Sequence, residues 1–143
     1  MLTSARNRFE GTVSRVLPGA INDEVIVTLS TGDEVVATIT KGSTERLDIR
    51  PGREVLVLIK ASFVILLADC EDYIFSTRNV FPATVTEVRN GRVATEVDMV
   101  TEKGLSLTST ITVVSAERLK LAEGVKISAA VKAPHVILAV KKD

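Results

Sequence analysis

Slid along itself, the chain comes into register with its own second half. An offset of 72 lays Ser4, Arg6, Asn7 and Phe9 on Ser76, Arg78, Asn79 and Phe81 with no gap. Thr12, Val13, Gly19, Glu24 and Gly32 fall on Thr84, Val85, Gly91, Glu96 and Gly104. Thr38 to Thr40 match Thr110 to Thr112, and Ser43, Glu45, Arg46 and Leu47 match Ser115, Glu117, Arg118 and Leu119. Lys60, Ala61, Val64, Ile65 and Leu66 match Lys132, Ala133, Val136, Ile137 and Leu138. Roughly 24 of about 64 aligned positions are identical, which chance does not produce. The chain therefore builds one fold twice, in units read as residues 1–70 and 71–143. Each unit, at about 65 residues, is near the lower limit for a self-sufficient core, so packing against another unit is expected. Asp69-Cys70-Glu71-Asp72 between them is a short acidic connection without a Gly/Ser tether.

Within the first unit, Gly11 to Leu17 and Glu24 to Leu29 read as strands, the latter with Val25, Val27 and Leu29 at period two. A Ser30-Thr31-Gly32-Asp33 turn leads to a third strand, Glu34 to Thr40. Ser43 to Ile49 reads as a short helix stopped by Arg50-Pro51-Gly52, and Glu54 to Lys60 and Phe63 to Leu67 close the unit. The second unit repeats this order, with turns at Asn90-Gly91 and Lys103-Gly104. Apolar residues make up 45% and aromatics only 3% with no Trp, so the core is aliphatic and its β-branched richness favours sheet. The expected fold is all-β: two tandem OB-like five-stranded barrel modules, each with one short helix.

Charge and cysteine usage exclude several functions. Eighteen basic residues balance eighteen acidic ones, so no global field recruits nucleic acid or an anionic membrane, and any anion must be held locally. Five scattered aromatics are too few for a single-strand-binding face. One Cys, Cys70, and one His, His135, make neither an internal disulfide nor an ordinary zinc site. His135 has Phe63 at its equivalent position, so a structural role is expected for it, and Cys70 receives none. There is no glycine-rich phosphate loop and no catalytic triad, so no enzyme and no catalytic cofactor are expected. The N-terminus lacks a secretory pattern, and the run from Ala61 to Ala68 is too short to span a bilayer. A reducing, cytoplasmic setting is expected.

Polar residues retained in both halves are the candidate chemistry. Ser4-Ala5-Arg6-Asn7 and Ser76-Thr77-Arg78-Asn79 combine hydroxyl, guanidinium and amide donors at the start of a strand, which suits an oxyanion or a solvated turn. Lys60-Ala61-Ser62 and Lys132-Ala133-Pro134 interrupt apolar strands. They pair a charge with approachable backbone N–H groups, or present an ordinary surface lysine. Thr40 with Ser43, and Thr112 with Ser115, precede the helix. Ser43 occupies the expected N-cap place, which either binds an anion or simply caps. Arg46 stands where a capping box based on Ser43 wants Glu.

The order of these segments resembles the Mop domain, one of the TOBE-type modules of molybdate transport, sensing and storage. It is carried by Ser4-Ala5-Arg6-Asn7, Gly11 to Val13, Gly19-Ala20-Ile21-Asn22 with Glu24-Val25, Ile39-Thr40-Lys41 and Ile59-Lys60-Ala61-Ser62. It covers nearly the whole chain, twice, as in stand-alone di-Mop molbindins, with no stretch left for a transporter ATPase or a DNA-binding head. The resemblance implies a homotrimer that holds molybdate or tungstate between modules, for intracellular storage and homeostasis, with no side chain ligating the metal directly. It implies interface pockets lined by Ser4, Ala5, Arg6, Asn7, Gly19, Ala20, Lys60, Ala61 and Ser62. From the second unit it adds Ser76, Thr77, Arg78, Asn79, Gly91, Arg92, Lys132 and Ala133. Thr40, Ser43, Thr112 and Ser115 would face symmetry-axis pockets. The second unit departs at Thr77, Arg92, Ala94, Val113 and Pro134, the last lacking an N–H donor, so equivalence of the two halves does not carry over. Two other readings stand beside storage: a regulatory module that senses the oxyanion and docks on a partner, and a nucleic-acid-binding OB module.

Overall fold

A computed structural model describes residues 1–143. It contains β1 (Asn7–Leu17), β2 (Asn22–Leu29), β3 (Glu34–Thr40), α1 (Lys41–Arg46), β4 (Glu54–Ile59) and β5 (Ile65–Leu67). The second half repeats them as β6 (Val80–Asn90), β7 (Ala94–Thr101), β8 (Ser106–Thr112), α2 (Val113–Arg118), β9 (Lys126–Ala130) and β10 (Ile137–Ala139). A single 3-10 turn precedes each last strand, at Ala61–Phe63 and Ala133–His135. The fold is mostly β, as two curled five-stranded sheets with two short helices.

Alternation drives the strands. In β2, Asp23, Val25, Val27 and Leu29 are buried, and in β7, Thr95, Val97, Met99 and Thr101 are, while the residues between them are only partly covered. β1 is long enough to serve two neighbours: Asn7 to Thr12 pair with β4, and Gly11 to Leu17 with β2. An irregularity between Val13 and Arg15, repeated between Val85 and Glu87, bends each long strand.

The last strand of each unit does not close its own sheet, contrary to the sequence reading of Phe63 to Leu67. The sheet orders are β10-β4-β1-β2-β3 and β5-β9-β6-β7-β8, so the modules exchange their fifth strands. β5 pairs with β9 and β10 with β4. The exchange carries Val64, Leu66, Val136 and Leu138 into one continuous aliphatic core of 24 residues drawn from both halves. Each fully buried side chain of this kind contributes about 1.5–3 kcal/mol. The exchange places apolar side chains of each small module in the core of the other, so the seam between two units too small for self-sufficient cores is filled.

The helix also differs from expectation. It begins at Lys41, and Thr40 is the N-cap, in extended conformation, its Oγ1 accepting the Ser43 N–H at 3.1 Å. Thr112 does the same for Ser115 at 3.1 Å. Ser43 is therefore the third helical residue, where a capping box places Glu or Gln, and its Oγ lies 2.8 Å from Thr40 Oγ1.

Candidate functional site

The register of β1 with β4 sets Asn7 opposite Ile59, which brings Ser4 to Arg6 beside Lys60 to Ser62. In the second half, Thr77 Oγ1 donates to the Val131 carbonyl at 2.7 Å, bringing Ser76 to Arg78 beside Lys132. Two pairs of candidate segments thus meet, once in each module. Ser4, Arg6, Lys60, Ser62, Ser76, Arg78 and Lys132 are exposed, whereas Ala61 is buried.

The asparagines face inward and are engaged. Asn7 is 1% exposed and Asn79 0%. Asn79 Nδ2 donates to the Val36 carbonyl at 2.7 Å, and Asn79 Oδ1 accepts the Val36 N–H at 2.7 Å. Asn7 repeats this with Thr108, at 2.8 Å in both directions, and donates to the Ile59 carbonyl at 3.2 Å. Each carboxamide therefore acts as one more strand residue along the outer edge of the other module's third strand, satisfying backbone groups that burial would otherwise leave unpaired. Ser109 Oγ adds a seam bond to the Val64 carbonyl at 2.6 Å.

The arginines reach across the same seam. Arg6 donates to Glu96 on β7 at 2.8 Å, and Arg78 pairs with Glu24 on β2. Glu24 lies two residues along β2 from Asn22, about 7 Å at ~3.3 Å per residue, and Asn22 is paired with Thr40. Arg78 of the second module therefore lies towards the end of the sheet that carries Thr40 and Ser43. Arg6 bears the same relation to Thr112 and Ser115, since Ala94 pairs with Thr112.

Gly19-Ala20 gathers with Thr40 and Ser43, at the far end of β1 from Ser4 to Arg6. The Lys41 N–H donates to the Ile21 carbonyl at 3.0 Å. Asp23, 3% exposed, holds the turn by accepting the Gly19 N–H at 3.1 Å and pairing with Lys41 Nζ at 3.1 Å. The Thr44 hydroxyl first, then the Gly19 N–H and Lys41, keep its carboxyl below the usual carboxylate range. A Cβ on Gly19 would fall 2.2 Å from the Asn22 carbonyl oxygen, and one on Gly91 2.6 Å from that of Ala94, so both turns exclude side chains. The second half lacks the charge pair, with Thr95 and Val113 in place of Asp23 and Lys41; Arg92 beside Gly91 is exposed.

At the module junction, Phe63 and His135, equivalent by the repeat, stack with ring centroids 4.2 Å apart and planes at 23°. Lys60 Nζ lies 5.7 Å from the Phe63 centroid. The sequence reading singled out neither this stack nor Glu24 and Glu96, although the two glutamates are identities of the repeat. A cleft of about 880 Å³ is lined by Glu10, Arg50, Arg53, Glu54 and Lys141 among others. A smaller one of about 220 Å³ lies between Arg78, Asp33, Glu102 and Lys103. Of the candidate residues, only Arg78 lines either. No three His, Cys, Asp or Glu side chains converge as a metal site, and no helix is long and apolar enough to cross a membrane.

The fold and these repeated faces define a class: a tandem-module β protein whose two halves share strands and present matched cationic faces. The chain belongs to the TOBE-domain family, whose model matches residues 3–66 and 76–138. It is 42% identical, over 97% of its length, to the molybdenum-pterin-binding protein MopA of Rhodobacter capsulatus, covering 52% of that protein. It is 37% identical, over 100% of its length, to the molybdenum transport protein ModE of Herbaspirillum seropedicae, covering 53%. The chain thus spans about half the length of the curated relatives it matches. A solved structure of the cytoplasmic molybdate-binding protein ModG, with molybdate bound, superimposes with a TM-score of 0.94 at 39% identity. That match covers 99% of this chain and 100% of that one.

Proposed function

We propose that this protein binds molybdate or tungstate reversibly in the cytoplasm, storing or buffering the oxyanion rather than transforming it. The observation that carries the reading is the duplicated face: Arg6 beside Lys60 and Arg78 beside Lys132, each set against the other module's second and third strands. It is supported by the structural match, over the whole chain, to a protein described as molybdate-binding and cytoplasmic. Molybdate is a tetrahedral dianion whose oxygens only accept hydrogen bonds, so convergent N–H and O–H donors suffice. Each charge-assisted bond contributes about 1.5–3 kcal/mol, so a few reach micromolar affinity.

On this reading the sites are completed between chains, in a homotrimer. Within one chain Arg78 lies towards the end of the sheet that holds Gly19-Ala20, Thr40 and Ser43, and Arg6 towards the end that holds Gly91-Arg92, Thr112 and Ser115, leaving two exposed half-sites that a second copy closes. Ser4, Ala5, Ser62, Ser76, Thr77, Gly91, Arg92 and Ala133 then contribute hydroxyls and backbone N–H groups around the four cations. Asn7 and Asn79 contribute by fixing the seam. On this reading residues 1–70 and 71–143 are the two repeated units, each lending its fifth strand to the other's sheet. The test is isothermal titration with molybdate, tungstate and sulfate. Saturable uptake of the first two but not sulfate is expected, weakened at least tenfold in Lys60→Ala/Lys132→Ala; no saturable uptake overturns the reading.

A sensing role is favoured by one observation: the chain matches about half of proteins described as transcriptional regulators, including one of Yersinia pestis at 35% identity. Molybdate-dependent capture of a defined partner would select that reading over storage, and molybdate-independent behaviour would remove it.

A further inference from the structure

The two cationic faces are built from equivalent residues, yet they stand against differently charged walls. Arg6 donates to one oxygen of Glu96 at 2.8 Å. The other oxygen takes bonds from Arg89 Nε at 3.3 Å and Nη2 at 3.0 Å. Arg89 also forks onto Asp98 at 2.6 and 2.9 Å and reaches Glu87 at 2.9 Å. The Thr108 hydroxyl donates to Asp98 at 2.8 Å. The wall facing Arg6 thus holds one cation and three carboxylates.

In the other half, Arg78 pairs with Glu24. The positions equivalent to Glu87, Arg89 and Asp98 there are Arg15, Leu17 and Ile26. That wall holds one cation and one carboxylate. The difference bears on an incoming oxyanion through charge: a dianion feels the uncompensated carboxylates with doubled force, whereas the exchange of a glutamate for the oxyanion is common to Arg6 and Arg78.

Resting on the oxyanion reading above, we propose that the Arg89-centred network makes the two faces unequal. The Arg78 face fills first, and the Arg6 face binds about tenfold more weakly. Two differences work the other way: Pro134 in place of Ser62 removes a neutral donor from the Arg78 face, and Arg92 in place of Ala20 adds an exposed cation at the turn on the Arg6 side. Together they offset only part of a wall on which three carboxylates meet Arg89 directly. Glu87 is the residue that sets the difference with least structural consequence, because its side chain is 61% exposed.

The test exchanges the two surface residues in the full chain and titrates with molybdate at low and high salt. The unaltered protein is expected to show two affinity classes about tenfold apart, a gap that narrows in high salt. Glu87→Arg raises the weak class to within about threefold of the strong one and leaves the strong class in place. Arg15→Glu lowers the strong class about tenfold. A single class in the unaltered protein, or Glu87→Arg moving both classes equally, overturns the inference while leaving oxyanion binding intact. No saturable uptake by any of the three overturns the oxyanion reading itself.

Discussion

Replacing Asn79 by Ala separates a seam-forming role from a ligand-donating one. The carboxamide is fully buried and makes two bonds of 2.7 Å to the N–H and carbonyl of Val36. Removing it leaves both backbone groups on the edge of β3 without their partner at a place closed to bulk solvent in the folded chain, where Asn79 is 0% exposed. A buried group left unsatisfied costs about 1–3 kcal/mol, and two of them, partly relieved by relaxation, give an expected loss of about 3 kcal/mol. Urea unfolding at fixed protein concentration measures this, with the slope unchanged and the midpoint lowered. Asn79→Asp is the matched control: it keeps an acceptor for the Val36 N–H but sets an oxygen against the Val36 carbonyl, so a comparable loss is expected. A loss below about 0.5 kcal/mol in Asn79→Ala would refute the edge-clamp account.

Three further outcomes follow. Leu66→Ala, in the exchanged β5 and 8% exposed, is expected to cost about 3 kcal/mol in urea unfolding, because it opens a cavity in the core shared by both halves. Thr40→Ala removes the hydroxyl that accepts the Ser43 N–H and is expected to cost about 1 kcal/mol, whereas Ser43→Ala, which leaves that cap in place, costs less. Asp98 and Glu96 are held below the usual carboxylate range, in both cases chiefly by hydrogen bonds from Arg89. A carboxyl held lower in the folded chain contributes stability that is complete above its unfolded value, near about 4, and lost as the pH falls through the folded value. Thermal stability is therefore expected to hold from neutral pH to about pH 5 and to fall below it, with Arg89→Leu showing a shallower acid decline.

The strands were legible because their burial period is two and because each pattern occurs twice, so an accidental alternation in one half was checked by the other. What the pattern did not reveal was partnership. The apolar run Val64 to Leu67 signals burial equally well in its own module or in its neighbour's, and only three-dimensional closure decides for the neighbour. The same ambiguity covers Asn7 and Asn79. A carboxamide that recurs beside Arg suits an oxyanion and a strand edge alike, and nothing local distinguishes them. Thr40 and Ser43 both recur, and the cap falls on the earlier because β3 runs on until Thr40. Glu24 and Glu96 were visible as identities, but a conserved-looking acid in a strand acquires meaning only when Arg78 and Arg6 reach it from the other module. The Phe63 and His135 stack was hidden for the same reason, since equivalent positions in tandem units need not meet.

Native mass spectrometry during titration with molybdate, with light scattering on the same sample, decides whether the oxyanion is held between chains. A trimer that takes up the oxyanion to a fixed stoichiometry and retains none of an equal concentration of sulfate is expected. A monomer that binds molybdate to saturation would contradict completion of the sites between chains, and a trimer that binds none would contradict oxyanion binding as the function.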